Sequence, residues 1–123
     1  MSSVLVDTSV WRDYFAGRPR ARELGVLLEE DGVVLTHPAV IGELVLGGLA
    51  ATEQSLLGRL PTAMEVSSPE LLAFIRSRRL ARRGIGWVDS QLLASALVAS
   101  AKLWSLDRKL SEAATDLRAA FVP

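Results

Sequence analysis

The sequence predicts an α/β fold: a mostly parallel sheet of four to five strands, flanked by helices on both faces. Two observations carry this expectation. Short apolar runs such as Val4-Leu5-Val6 and Val33-Val34-Leu35 alternate with longer stretches whose apolar residues recur at helical spacing. The junctions between them hold Asp, Ser, Thr, Pro and Gly, the residues that start and stop helices. Buried parallel strands joined by crossover helices give that alternation.

The first strand, Val4-Leu5-Val6, runs into Asp7-Thr8-Ser9, residues that favour helix N-caps, and a helix is expected over Val10 to Phe15. Arg20 to Glu30 has Leu24, Leu27 and Leu28 at helical spacing and is broken by Asp31-Gly32; Val33-Val34-Leu35 is the second strand. Pro38 opens a helix to Leu46 that stops at Gly47-Gly48, Thr52 to Arg59 forms another, and Ala63 to Val66 is counted as a further short strand. Ser67-Ser68-Pro69-Glu70 starts a helix expected to reach about Arg82, ended by Gly84-Ile85-Gly86. Asp89 is expected to cap the helix bearing Leu92, Leu93, Ala96 and Leu97. Strand Lys102 to Leu106, a short helix after Asp107 and an edge strand near Phe121 complete the order.

A chain of 123 residues, 50% hydrophobic, can bury one core and is too short for two ordinary domains, so residues 1–123 read as a single domain. Charged residues make up 23% and the 14 acidic side chains balance 14 basic ones, which argues against disorder and against a broad polycationic surface. Contact with nucleic acid would have to be a local patch. Without cysteine there is no disulfide framework and no thiolate metal site. The N-terminal residues lack the basic and apolar regions of a signal peptide, and no apolar run nears the ~20 residues of a membrane span. A cytoplasmic protein without a membrane partner is expected.

Asp7 and Asp107 each follow a strand, where open α/β sheets place their binding crevice. Glu43 stands out differently. It interrupts the apolar run Ala39 to Leu46, a helix expected to be packed inside, and its neighbours three and four residues away carry no charge. A lone buried carboxylate needs a cation or a partner. Asp89 opens an apolar helix whose N-terminal dipole favours a negative group. Four acids from four segments, with neither His nor Cys beside them, form an oxygen-only donor set suited to Mg²⁺ or Mn²⁺ rather than zinc. Such ions can activate water against a phosphodiester. Taken singly, the three aspartates are equally well plain helix caps, and Glu43 could reach solvent or an arginine; only their conjunction is specific.

That conjunction resembles the PIN-domain ribonucleases, and specifically the VapC-type toxins of toxin–antitoxin pairs, over essentially the whole chain. Val4-Leu5-Val6-Asp7-Thr8-Ser9-Val10-Trp11 is similar to the family's opening motif, with Asp7 the first acid and Thr8 or Ser9 a nearby hydroxyl. Glu43, in Ile41-Gly42-Glu43-Leu44, matches the second acid, and Asp89, in Val88-Asp89-Ser90-Gln91-Leu92-Leu93-Ala94-Ser95-Ala96, the third. Leu103-Trp104-Ser105-Leu106-Asp107-Arg108-Lys109-Leu110 resembles the fourth, with Ser105 supporting Asp107. The resemblance implies a parallel sheet with flanking helices and Mg²⁺- or Mn²⁺-dependent endonucleolytic cleavage of RNA. It also implies Asp7, Glu43, Asp89 and Asp107 as metal ligands assisted by Thr8 and Ser105, a homodimer, and neutralisation by a VapB-type antitoxin.

Two other readings compete. A non-catalytic RNA- or partner-binding module on the same fold would retain RNA without cutting it. A phosphoaccepting receiver-like domain would need a lysine after a strand, and Lys102 precedes its strand. Among secondary features, Arg76, Arg79 and Arg83 are expected on one helix face, within a cluster from 76 to 83 that suits phosphate oxygens or is simply solvated. Trp11 and Trp87 suit packing better than base stacking, and Trp104 suits the core. His37, the only histidine, reads as a loop or cap residue. Leu44 to Leu57 could be covered by a partner helix or buried in the monomer.

Overall fold

The computed structural model describes residues 2–123 and contains three parallel strands and seven α-helices among them. Strand β1 (Val4–Val6) lies at the centre of the order β2-β1-β3, between β2 (Val34–Leu35) and β3 (Lys102–Trp104). The register pairs Leu5 with Leu35 on one side and with Leu103 on the other. Val4 and Val6 point to one face and Leu5 to the other, and all three are at most 1% exposed, so both faces of the sheet are covered. The predicted outer strands are reduced to single parallel bridges, Thr36 with Thr62 and Leu103 with Ala120. The segment after Thr62 does not continue as a strand because the Gln91 side chain takes up both the N–H and the C=O of Val66.

The chain leaves β1 through α1 (Thr8–Phe15), a 3-10 turn (Pro19–Ala21) and α2 (Arg22–Leu27) to reach β2. It continues through α3 (Pro38–Leu46), α4 (Ala51–Gly58), α5 (Ser68–Arg78), a second 3-10 turn (Leu80–Arg83) and α6 (Trp87–Val98) to β3, and closes with α7 (Arg108–Asp116). One core cluster spans Val4 to Ala114, with Trp11, Leu24, Leu92, Leu93 and Leu110 all 0% exposed within it. None of the helices is long and apolar enough to cross a membrane, among the described residues.

Two expectations from the sequence are corrected. The helix from Ser68 does not reach Arg82; Arg79 adopts the left-handed conformation (φ 54°) and breaks it. At 100° per residue an unbroken helix would turn Leu80 to the side opposite Leu71. The break lets both be buried, at 1% and 0% exposure, and it removes the shared face expected for Arg76, Arg79 and Arg83. Asp89 is not an N-cap either. Gly86 caps α6, Trp87 and Val88 supply its first residues, and Asp89 is third, where an acid still meets the positive end of the helix dipole.

Because the chain turns to one side of β1 for β2 and to the other for β3, the order reverses at β1. The crevice beyond the carboxyl ends of β1 and β3 is therefore where a ligand site is expected.

Candidate metal centre

Asp7 is the first residue past β1 and caps α1. It is 6% exposed, and hydrogen-bond donors surround it. Its Oδ1 accepts from the Thr8 amide (2.8 Å), and its Oδ2 accepts from two hydroxyls, Ser9 Oγ (2.9 Å) and Ser105 Oγ (2.7 Å). Both hydroxyls are themselves held by backbone amides from the β3–α7 turn: Leu106 N–H donates to Ser9 Oγ and Asp107 N–H to Ser105 Oγ, each at 3.0 Å. This explains why β3 stops at Trp104, short of the predicted Leu106. Past that residue side-chain hydroxyls replace the strand ladder.

Asp107, exposed, caps α7 through Oδ1, which accepts from Leu110 N–H at 2.9 Å. Its Oδ2 carries no protein hydrogen bond among the described residues. Ser111 Oγ donates to the Ser105 carbonyl (2.8 Å) and fixes the turn from the other side. Ser105 thus joins the first acid to the fourth. Thr8 does not touch any acid through its side chain; its hydroxyl is buried without a partner among the described residues, and only its amide serves Asp7. Ser9 makes the hydroxyl contact instead, because at the second position of α1 it faces back over the cap.

Asp89 is half-buried in the first turn of α6, and its pKa is pushed up from 3.8 to about 6. Burial is the largest cause, followed by the charges of Asp7, Asp107 and Glu43. Three of the predicted acids thus lie within electrostatic reach of the fourth. No ion pair offsets this charge: the bridges among the described residues join Asp13 to Arg18 and Arg20, Asp116 to Arg83 and Glu112 to Arg108.

For Glu43 the expected reason is corrected. Its helix is not packed inside: of α3 only Val40 and Leu44 are buried, Val45 is 50% and Leu46 89% exposed, and Glu43 is half-buried. The acid under strain is Asp89. Asp13, buried against its arginines at the end of α1, is a structural carboxylate that the sequence did not single out.

The donor set is all oxygen, and the accumulated negative charge is uncompensated, which fits a hard divalent cation. Among the described residues no three of these acids are drawn into a closed ligand set. Like charges at one rim repel, and one lone pair of Asp7 Oδ1 and both of Asp107 Oδ2 remain without a donor, so a cation would have to gather them.

His37, 0% exposed, caps α3: its Nδ1 accepts from Ala39 N–H (3.0 Å) while its Nε2 lies 3.1 Å from Ser95 Oγ. Trp11 and Trp104 are buried, as expected, whereas Trp87 is half-exposed two residues before Asp89.

Comparison with known proteins bears on the family and the fold. A family model described as the PIN domain matches residues 4–116. Ribonuclease VapC32 of Mycobacterium tuberculosis, in two strains, is 40% identical over 116 residues, covering 92% of this chain and 91% of the relative. PAE2754 from Pyrobaculum aerophilum superposes with a TM-score of 0.66 at 15% identity, covering 91% of this chain and 79% of its own. A toxin–antitoxin complex from Klebsiella pneumoniae does so with 0.64 at 18% identity, over 85% of this chain and 87% of the matched one. FitAcB from Neisseria gonorrhoeae reaches 0.58 at 23% identity, over 91% and 93%. At these identities the three structures speak for the fold.

Proposed function

The chain belongs to the PIN-domain family, and from that premise we propose that it is a metal-dependent endoribonuclease, the toxin of a VapBC-type toxin–antitoxin pair. What supports the site is the geometry in which the Ser105 hydroxyl joins Asp7 to Asp107, together with Asp89, whose pKa is raised first by burial and then by the charges of Asp7, Asp107 and Glu43. Asp7, Glu43, Asp89 and Asp107 hold one or more Mg²⁺ or Mn²⁺ ions. When bound, such an ion supplies Lewis acidity toward water and toward the scissile phosphodiester.

The rest falls to the protein. Ser9 and Ser105 fix the Asp7 carboxylate, and the Ser105 hydroxyl ties the β3–α7 turn so that Asp107 stays beside it. Thr8 contributes its amide to the same carboxylate. In hydrolysis the water oxygen forms the new P–O bond and the ribose oxygen departs with the proton.

The cognate partner is an antitoxin of the VapB type, and the cleft among α1, α3 and the start of α4 suits a partner segment. Its volume is about 320 Å³, Phe15, Leu44 and Leu49 give it apolar walls, and Arg12 and Glu53 supply charge at its rim. The chain acts in the cytoplasm as one domain, residues 1–123, organised around one core cluster. It forms a homodimer; the exposed Met64, Leu72 and Val98 are apolar surface of the kind that association covers.

Purified protein incubated with end-labelled RNA should cut internally with Mg²⁺ or Mn²⁺, stop in excess EDTA, and stop again on adding the antitoxin. RNA retention without any cut under these conditions would favour the non-catalytic binding module.

A further inference from the structure

We propose that His37 and Ser95 form a brace that sets the separation of Glu43 and Asp89, making His37 a positioning residue for the metal centre. The inference rests on the reading of those two acids as ligands.

Hydrogen-bond directions fix the chemistry of the brace. Ala39 N–H can only donate, so His37 Nδ1 carries no proton, and the neutral ring bears its hydrogen on Nε2. That N–H donates to Ser95 Oγ at 3.1 Å, which leaves the serine hydroxyl free to donate in turn to Met64 O (2.9 Å) or Gln91 Oε1 (3.0 Å). Gln91 is pinned in its own orientation by the amide and carbonyl of Val66. His37 and Ser95 are 0% and 1% exposed, so water does not compete for these bonds.

Its place in the fold gives the brace its consequence. His37 caps the start of α3 and Glu43 lies six residues further on; Asp89 lies in the first turn of α6 and Ser95 six residues further on. Each acid is thus about 9 Å along a rigid helix from the joint. The joint ties the start of α3 to α6, with the Gln91 side chain of the same helix hydrogen-bonded to Ser95 beside it. Of the rest of α3, only Val40 and Leu44 are buried. The residue before the cap, Thr36, is fixed at the sheet edge by Pro61 O and Ala63 N–H, so the joint is anchored from that side too.

The test is Mn²⁺ affinity, by calorimetry on the full chain, with thermal midpoints taken in parallel. His37→Asn keeps an oxygen able to cap α3 and loses the reach to Ser95; Ser95→Ala removes the other end and suits a helix. Each should bind Mn²⁺ about tenfold more weakly, the scale seen when groups orienting metal ligands are removed. The double variant should be no weaker than either single one, because both break the same link. Wild-type affinity in both variants, with or without a lower thermal midpoint, overturns the brace. Glu43→Gln and Asp89→Asn separate the two levels. If they lose Mn²⁺ while the brace variants keep it, only the brace falls; if they bind Mn²⁺ as the wild type does, the ligand assignment falls and the brace with it.

Discussion

Ser105 Oγ donates a 2.7 Å hydrogen bond to Asp7 Oδ2 across 98 residues of sequence, joining the ends of the two strands between which the chain order reverses. The same oxygen accepts from Asp107 N–H, so one hydroxyl holds the first and last acids of the site. Ser105→Ala should leave the fold intact and lower kcat at least about tenfold, since small misplacements of a reacting group are costly. An unchanged kcat at saturating metal would remove Ser105 from the machinery.

The pKa of Asp89 predicts a pH dependence. Its folded value, about 6, lies above the ordinary 3.8, so the folded chain binds this proton more tightly than the unfolded one. The cation-free protein therefore loses stability as pH rises through that interval, and the loss is complete above about 6. Cation binding needs the ionised carboxylate, so metal affinity should weaken as pH falls through about 6. Carbon NMR of the Asp89 carboxyl should follow this midpoint, and Glu43→Gln should lower it by removing one of three raising charges. A midpoint near 3.8 in the wild type would contradict the clustering.

His37 titrates with the opposite sign. Burial lowers its pKa below 6.5, against smaller raising influences from Glu65 and Gln91. The unfolded chain takes up this proton first, so stability present above about pH 6.5 is lost as pH falls through it. Subtracting the denaturation profile of His37→Asn from that of the wild type isolates this slope from that of Asp89. A flat difference between about pH 7 and 5 would mean that His37 is not held neutral.

Arg79 supplies a test of the fold itself. A non-glycine residue in the left-handed region costs about 1–2 kcal/mol, and glycine gives back part of that relief through its greater unfolded-state freedom. Arg79→Gly should stabilise the protein by about 0.5–1 kcal/mol in urea denaturation. Destabilisation would mean that the guanidinium makes a contact worth more than the strain.

Much of this was legible in the sequence because local signals and global order agree. Val4-Leu5-Val6 followed by Asp7 announces a buried strand and a cap, and both are found. Asp7 and Asp107 lie just past strand ends, as their place after apolar runs suggested, and the charges of Asp7, Asp107 and Glu43 all raise the pKa of Asp89. What could not be read depends on contacts distant in sequence. Nothing near Ser9 announces that its hydroxyl rather than that of Thr8 meets Asp7, because the choice is fixed by Leu106, 97 residues away. Nothing near Arg79 announces a break, since it serves the burial of Leu80 in a core assembled from elsewhere. Glu43 was singled out for a burial that α3 does not have, whereas the burden of burial and repulsion falls on Asp89.

The central claim is that four carboxylates work together as a metal-dependent nuclease centre. Its most direct test is the initial rate of internal RNA cleavage at saturating Mg²⁺ for Asp7→Asn, Glu43→Gln, Asp89→Asn and Asp107→Asn, each confirmed folded by circular dichroism. The account predicts that every one of the four loses at least about a hundredfold in rate, and that the wild type falls to the same level in EDTA. Full activity in any of these variants, or in EDTA, would contradict it.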